Sequence, residues 1–325
     1  MGDMSENGLT DYVQRSSRAL FAGNYAPEDA LVFAQMSYLK FEKAYGCRYD
    51  GPPVPMARFA DALCARLEQD DQNNRTLLAA VAASGRYKGC SVGRFAAENE
   101  RSQWAAMTVY LNDFFDSAVI AMRGTDGTAL GWTEDLQLLY EEEGTGAQKL
   151  SAEYVAEGAQ YGLFLTGHSK GGNNVTSAFV MADAAVQEKI VRIDNFDGPG
   201  VNESFQERYA HGYARLAGRL QNFYPQDSVI GLLLNDNPGS IYYVESSRAA
   251  GILHEHDPYR WQFDGDGHFR YTRQSEWSKV IDEMLDVTVS ALSQKERAAL
   301  VGVLVKAGVP AAIAEGTWKK KPEGL

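Results

Sequence analysis

The sequence of 325 residues has few cysteines and histidines and no long apolar run. Its three cysteines, Cys47, Cys64 and Cys90, are widely spaced, which suits a reducing compartment and shows no clustering of metal ligands. No apolar stretch approaches the roughly 18 residues of a membrane-spanning helix. The first residues have neither the basic region nor the apolar core of a signal peptide. We therefore predict a cytoplasmic protein with no transmembrane segment, no metal and no other cofactor.

Positive charge is also scarce, and the formal net charge is -12 at pH 7. A nucleic-acid-binding protein needs a basic face to neutralise phosphates, so nucleic acid is excluded as a partner. The acidic balance gives no attraction to anionic membranes either. The sequence contains no internal repeat and no low-complexity tract, and it leaves the oligomeric state open.

Apolar patterns of two periodicities divide the chain. Residues from about 10 to 85 show helical patterns, one of which begins at Pro27, and we expect these helices to pack against a sheet. From about 86 to 272, runs typical of strands alternate with helical patterns, which predicts an α/β fold with a mainly parallel sheet and helices on both faces. Two C-terminal helices are predicted from about 275 to 310. We expect the 325 residues to form one domain. The predicted strands are 105–111, 117–122, 162–166, 190–196, 220–224 and 241–244. The first two are expected to form a hairpin with its turn at 112–113. The predicted helices include 56–68, 74–83, 170–186 and 202–216.

The stretch between strand 162–166 and the next helix reads Gly167-His168-Ser169-Lys170-Gly171. This is the Gly-x-Ser-x-Gly pattern of the nucleophile elbow in serine hydrolases. A serine hydroxyl becomes a useful nucleophile when a sharp turn projects it toward a base. Such a turn leaves no room for side chains beside it, and glycine meets that need. The sequence therefore predicts that Ser169 is a nucleophile.

Polar residues follow several of the predicted strands. Thr125, Ser169, Asp197 and Asp227 all come just after an apolar run. Because ligands bind at the carboxyl ends of the strands in parallel sheets, we expect an active site at this edge. For the acid that orients the base, Asp227 in a turn rich in Pro, Asp and Ser is favoured. Asp197, one strand earlier, is the alternative.

The base must come from five histidines. His168 lies inside the elbow, where neighbouring side chains diverge, so it is expected to pack or form hydrogen bonds away from Ser169. His211 within a helix and His268 within a hairpin turn are expected to face solvent. His254 and His256 follow both candidate acids, in the order Ser, Asp, His of α/β hydrolases. The residues alone do not choose between these two.

A set of motifs resembles a bacterial α/β-hydrolase family that is related to the class 3 (fungal triacylglycerol) lipases. The resemblance extends over most of the chain and implies the α/β-hydrolase fold. The matching segments are Asp11-Tyr12, Ser37-Tyr38-Leu39, Arg123-Gly124-Thr125 with Trp132 and Asp135 after it, Thr166-Gly167-His168-Ser169-Lys170-Gly171-Gly172, Asn195-Phe196-Asp197-Gly198-Pro199-Gly200, and His256-Asp257-Pro258-Tyr259-Arg260-Trp261.

The resemblance also implies roles for individual residues. Ser169 is expected as the nucleophile, Asp227 as the acid and His256 as the base. His256 is chosen over His254 because the late histidine of the family heads a His-Asp-Pro-x-x-Trp motif. Asp197 stands where the lipases have a small residue, so the resemblance implies a structural role for it.

The resemblance places the oxyanion hole at Thr125 and the backbone N–H of Lys170, with Asp135 orienting Thr125 from behind. The lysine side chain is expected to be solvated. Residues 127–146 occupy the position of the lid of the lipases, and they are expected to be either a lid or a helix packed on the core. The apolar run 229–234 is a candidate lining for an acyl pocket.

Together these inferences predict a lipase-like or esterase-like serine hydrolase of carboxylic esters, with a small-molecule or lipid ester as substrate. The reaction is expected to proceed through an acyl-enzyme. The alternative is an inactive protein of the same fold that binds a lipid or a protein partner.

Overall fold

A ten-stranded sheet forms the centre of the computed structural model, which describes residues 8–67, 71–111, 116–234, 237–247 and 254–315. The strands are β1 (Arg48–Tyr49), β2 (Val54–Pro55), β3 (Ser91–Glu98), β4 (Trp104–Tyr110), β5 (Ser117–Met122), β6 (Gly162–His168), β7 (Ile190–Phe196), β8 (Leu220–Pro225), β9 (Ser240–Val244) and β10 (Tyr271–Thr272).

The strand order is β1-β3-β4-β5-β6-β7-β8-β9-β10, with β2 also paired to β3. Strands β5 to β9 run parallel to one another. The strands on either side of this block pair antiparallel. The sheet is thus mixed with a parallel centre, and the protein has the α/β-hydrolase fold that the sequence predicts.

Helices connect and cover the strands. They are α1 (Leu9–Arg15), α2 (Pro27–Met36), α3 (Glu42–Tyr45), α4 (Met56–Cys64), α5 (Gln72–Ala83), α6 (Ala129–Gln137), α7 (Gly146–Glu157), α8 (Lys170–Met181), α9 (Ala184–Lys189), α10 (Glu203–Arg208), α11 (Ala210–Leu216), α12 (Glu276–Ser290), α13 (Gln294–Lys306) and α14 (Val309–Ala314).

Two hydrophobic cores lie on opposite faces of the sheet. Side chains of a strand alternate between its faces, and β5 follows this rule because Val119 and Ala121 enter one core while Ile120 and Met122 enter the other. Helices α1, α2, α4 and α5 complete the first core, and α7 and α8 belong to the second. The expectation that the N-terminal helices pack against a sheet is confirmed.

Several boundaries differ from the prediction. The helix predicted over 170–186 is two helices, because Asp183 caps a new one by accepting a hydrogen bond from Val186 N at 3.0 Å. The helix predicted over 202–216 is also divided, into α10 and α11. The two predicted C-terminal helices are present as α12 and α13, and a further short helix, α14, follows them. The turn expected at 112–113 lies outside the described residues.

The N-terminal segment that was predicted to be helical also contains β1 and β2, and β3 was not predicted at all. The register of β3 shifts between Val92 and Phe95, which marks a bulge. A bulge interrupts the alternation of apolar and polar residues from which strands are predicted, so this strand has a weak sequence signal.

Within the described ranges, no helix is both long enough and apolar enough to cross a membrane.

Candidate active site

The predicted nucleophile elbow is formed between β6 and α8. Ser169 has φ 58° and ψ -134°, a backbone conformation that non-glycine residues rarely adopt. A Cβ atom on Gly167 would overlap the backbone of Gly171, and one on Gly171 would overlap the carbonyl oxygen of Met122. The two glycines of the motif are therefore required by backbone packing, as the sequence predicts.

The imidazole of His256 is hydrogen-bonded to Asp197. Its Nδ1 lies 2.6 Å from Asp197 Oδ2, and the carboxylate is almost completely buried. The second oxygen, Oδ1, accepts hydrogen bonds from Ser228 Oγ at 2.5 Å and from Gly231 N at 3.1 Å. With both oxygens hydrogen-bonded, the carboxylate is held in one orientation toward the imidazole.

The carboxylate that the structure shows against the imidazole is thus that of Asp197, the alternative to the predicted Asp227. Asp227 follows β8, whereas Asp197 follows β7, the strand directly beside the elbow strand β6. Asp197 also has a positive φ of 50°, like Ser169, so it sits in a comparable sharp turn at the strand end. The resemblance implies a structural role for Asp197, and the structure places its carboxylate in contact with His256.

Residues 228 and 231 of the loop after β8 also belong to the site, because both donate hydrogen bonds to Asp197. Ser228 is buried and supports Asp197, as described above. This serine stands directly after Asp227 in the polar turn that drew attention in the sequence. The polar turn predicted to belong to the site therefore does contribute to it, through Ser228.

Thr125 follows β5 and donates a hydrogen bond from Oγ1 to Asp135 Oδ2 at 2.7 Å. Burial raises the pKa of Asp135, while Lys170 and the bond from Thr125 act in the opposite direction. A hydroxyl proton that is donated to Asp135 is not available to a second acceptor. The backbone N–H of residue 125 is the group that can then face a ligand.

The backbone N–H of Lys170 lies at the first position of α8, where N–H groups have no partner within the helix. The Lys170 side chain, in contrast, is not solvated as predicted. It is 2% exposed, and its Nζ lies 3.0 Å from Glu134 Oε2 and 2.9 Å from the carbonyl oxygen of Gln103. A lysine is buried in this way only when its charge is paired, and the sequence did not show the partner on α6.

An apolar cavity of about 300 Å³ opens beside the nucleophile. Ser169, His256, Thr125 and Asp135 all line it, so the structure brings these predicted residues together. His256, which the family resemblance favoured, thus lines the cavity and is hydrogen-bonded to Asp197. The apolar side chains around the cavity are Trp132, Leu136, Leu138, Leu139, Pro199, Ile230, Leu233, Leu234 and Ile313.

Part of the run 229–234 thus lines the cavity, through Ile230, Leu233 and Leu234, whereas Leu232 is buried. Ile313 comes from α14, near the C-terminus, and no sequence signal pointed to it. Apolar walls with a few polar groups at one end are typical of small-molecule pockets.

The segment 127–146 forms one wall of this cavity, and many contacts hold it in place. Glu134 binds Lys170, and it also accepts hydrogen bonds from Ser102 Oγ and from the backbone N–H of Gln103 at 2.9 Å. Asn202 Nδ2 donates to the carbonyl oxygens of Leu138 and Glu141 at 3.0 and 2.9 Å. In this structure the segment is a packed wall, which agrees with the second of the two expectations.

Tyr38 is a site residue that sequence reasoning did not single out for chemistry. Its hydroxyl lies 2.9 Å from Nδ1 and 3.2 Å from the carbonyl oxygen of His168, the residue before the nucleophile, and burial raises the pKa of the hydroxyl. A Cβ atom on Gly124 would overlap this hydroxyl. Tyr38 belongs to a segment that carried the family resemblance, and this was its only signal.

Among the residues that the structure describes, no group of three or more His, Cys, Asp or Glu side chains could hold a metal ion.

A protein-family model described as Mbeg1-like matches residues 81–306 of the chain. No curated protein matches it significantly. Solved structures similar to it include lipase II from Rhizopus niveus, with 13% identity, a TM-score of 0.40 and coverage of 68% of this chain and 81% of that one. The Rhizomucor miehei lipase–propeptide complex has 12% identity, a TM-score of 0.41 and coverage of 83% and 81%. A triacylglycerol lipase from Penicillium expansum has 11% identity, a TM-score of 0.34 and coverage of 85% and 100%.

Proposed function

The chain belongs to the Mbeg1-like family, and from this premise and the geometry of the site we propose that it is a serine hydrolase of carboxylic esters. One observation supports the proposal most directly. An elbow serine with a positive φ lines the same cavity as a histidine whose Nδ1 lies 2.6 Å from a buried carboxylate. The nucleophile and the orienting acid thus follow the neighbouring strands β6 and β7, and the base comes from a later turn.

In the proposed reaction, the imidazole acts through Nε2, because Nδ1–H is donated to Asp197. Nε2 takes the proton of Ser169 Oγ as this oxygen attacks the carbonyl carbon of the ester. The resulting tetrahedral oxyanion is stabilised by the backbone N–H groups of Lys170 and Thr125. One well-placed donor of this kind is worth about 3–4 kcal/mol of the barrier.

Collapse of the tetrahedral species breaks the bond to the alcohol, which leaves with the proton from Nε2. Water then attacks the acyl-enzyme and gives a proton to Nε2. That proton returns to Ser169 Oγ when the carboxylic acid is released. The charge of the imidazolium in both steps is stabilised by Asp197.

The cavity indicates the kind of substrate. Its walls are apolar, and its volume is about 300 Å³. The polar and titratable residues that line it are concentrated where the ester would react, at Ser169, His256, Thr125 and Asp135. We therefore expect esters with an apolar acyl group.

A fluorophosphonate probe tests the proposal, because the activated serine displaces fluoride and forms a covalent bond to phosphorus. The wild type is expected to be labelled and to hydrolyse p-nitrophenyl esters, whereas Ser169→Ala is expected to do neither. Ser177→Ala is a matched control, since this buried serine lies on the same helix α8. An unlabelled, inactive wild type would favour the alternative, an inactive protein of this fold that binds a lipid or protein partner.

A further inference from the structure

Hydrogen bonds link the nucleophile elbow to the backbone of the base. His168, the residue before the nucleophile, places its Nε2 2.7 Å from the backbone carbonyl oxygen of His256. Its Nδ1 lies 2.9 Å from the hydroxyl of Tyr38. The two imidazole rings lie side by side, with centroids 4.4 Å apart. None of these contacts is part of the reaction proposed above, in which His256 acts through Nε2 and is oriented at Nδ1 by Asp197.

The chemistry of the partners sets the direction of each bond. A carbonyl oxygen can only accept, so Nε2 of His168 must carry a proton. Burial, with a smaller effect of the neighbouring His256, holds the pKa of His168 well below its usual value. The ring is therefore neutral and Nδ1 is an acceptor, so the hydroxyl of Tyr38 is the donor, and its proton is shared between Nδ1 at 2.9 Å and the carbonyl oxygen of His168 at 3.2 Å. Burial raises the pKa of Tyr38, so this hydroxyl keeps its proton.

This arrangement holds the base at two points. The ring of His256 is fixed at Nδ1 by Asp197, and its backbone is fixed at the carbonyl oxygen by His168. The residues from 254 to 257 form a turn that leads into a short 3-10 helix, Pro258–Arg260, and Glu255 within it accepts a hydrogen bond from Ser246 Oγ at 2.6 Å. At residue 256 itself, the contact with His168 is the one that ties the backbone carbonyl to the elbow. Without it, the backbone of His256 is less firmly fixed, and Nε2 can shift relative to Ser169.

We propose that His168 is a positioning residue, which fixes the backbone of His256 to the elbow, and that Tyr38 sets the tautomer of His168 for this purpose. This inference rests on the proposed ester hydrolysis. The sequence predicts only that His168 packs or forms hydrogen bonds away from Ser169, whereas here it positions the base. A displacement of about 1 Å between reacting groups can cost about a hundredfold in rate.

Two substitutions of nearly equal size separate positioning from packing. In His168→Gln the side-chain amide can occupy the place of Nε2 and still donate to the His256 carbonyl oxygen. In His168→Asn the amide is too short and lies near the place of Nδ1. We expect kcat for a p-nitrophenyl ester to fall by about thirtyfold or more in His168→Asn and by less than about fivefold in His168→Gln, with KM within about twofold in both.

Tyr38→Phe removes only the hydroxyl. It is expected to lower kcat by about threefold to tenfold, since the contacts with Nδ1 and with the carbonyl oxygen of His168 are lost together. Unfolding temperatures of the three variants and the wild type are measured alongside. Equal losses of activity in the Gln and Asn variants, or wild-type kcat in His168→Asn, would overturn the proposal.

A second measurement does not depend on turnover or on the folding of the variants. In ¹⁵N-histidine NMR spectra of the wild type, His168 should show the Nε2–H tautomer and should not titrate near pH 6.5. An Nδ1–H tautomer or an ordinary titration would refute the arrangement. If the tautomer is as expected but the wild type does not react with the fluorophosphonate, the proposed function fails. The contact is then only structural, which also refutes the positioning role.

Discussion

Replacing Glu134 with glutamine tests the buried ion pair that connects α6 to the elbow helix. Lys170 and Glu134 are 2% and 4% exposed, and their charged atoms lie 3.0 Å apart. Glu134→Gln keeps the size of the side chain and removes its charge. The ammonium group of Lys170 then remains buried, with the carbonyl oxygen of Gln103 at 2.9 Å as its remaining partner. Breaking a buried pair on one side typically costs about 3–5 kcal/mol.

The loss can be converted into an unfolding temperature. At about 2.1 cal/mol/K per residue, the unfolding entropy of a chain of this length is about 0.7 kcal/mol/K. A loss of about 3–5 kcal/mol then lowers Tm by about 4–7 °C. Glutamine adds a further cost, because both carboxylate oxygens of Glu134 accept hydrogen bonds, Oε1 from Ser102 Oγ and Oε2 from Gln103 N. The NH2 group that replaces one of these oxygens can only donate, so it faces a donor.

Thermal unfolding followed by circular dichroism, with urea unfolding alongside, measures the effect. Glu276→Gln is the matched control, since it removes an ion pair to Lys279 at the protein surface, where Glu276 is 89% exposed. The control should change stability by less than about 1 kcal/mol. The double variant Glu134→Leu/Lys170→Met should recover most of the loss, because no charge is left buried. A Glu134→Gln variant that unfolds within about 1 °C of the wild type would refute the reasoning.

Three further predictions concern the site itself. Asp197→Asn should lower kcat for a p-nitrophenyl ester by about four orders of magnitude, as loss of the orienting carboxylate does in serine hydrolases. The kcat of Asp227→Asn should stay within about twofold of the wild type. Comparable losses in the two variants would contradict the assignment of the acid. The pKa of His168 is lower in the folded protein than in the unfolded chain, so the unfolded state binds more protons. Stability is therefore lost as the pH falls below about 6.5, by up to about 1.4 kcal/mol per pH unit. Urea unfolding at pH 7.5 and 5.0 should therefore show a wild-type advantage over His168→Gln that shrinks at the lower pH, and a constant difference would be inconsistent with a neutral buried ring. Ile313→Ala enlarges the cavity and should shift the preference among p-nitrophenyl esters toward longer chains by about tenfold in the ratio of kcat/KM values; an unchanged ratio would show that the acyl group does not reach α14.

Much of the frame could be predicted from the sequence because its signals are local. Apolar runs followed by turn residues predicted strands β5 to β9, and the helical periodicity after Lys170 predicted α8. The Gly-x-Ser-x-Gly spacing predicted the elbow, since a backbone conformation such as that of Ser169 requires small neighbours. Where the local signal was interrupted, as by the bulge in β3, the prediction missed the element.

The pairing of distant side chains could not be predicted in the same way. Asp197 and Asp227 both follow strands, and the order of those strands in the sheet, with β7 beside β6, decided which carboxylate meets His256. The fate of Lys170 depended on Glu134 of α6, which lies 36 positions earlier in the chain.

The elbow and the presence of a serine, an acid and a histidine in that order were thus determined by the sequence itself. The tertiary structure alone decided that Asp197 is the partner of His256, that Ser228 supports it, and that His168 links Tyr38 to the backbone of His256. The physical reason is that a turn is encoded by the few residues within it. A hydrogen bond between strand ends, in contrast, requires two backbones that only the sheet brings within about 5 Å of each other.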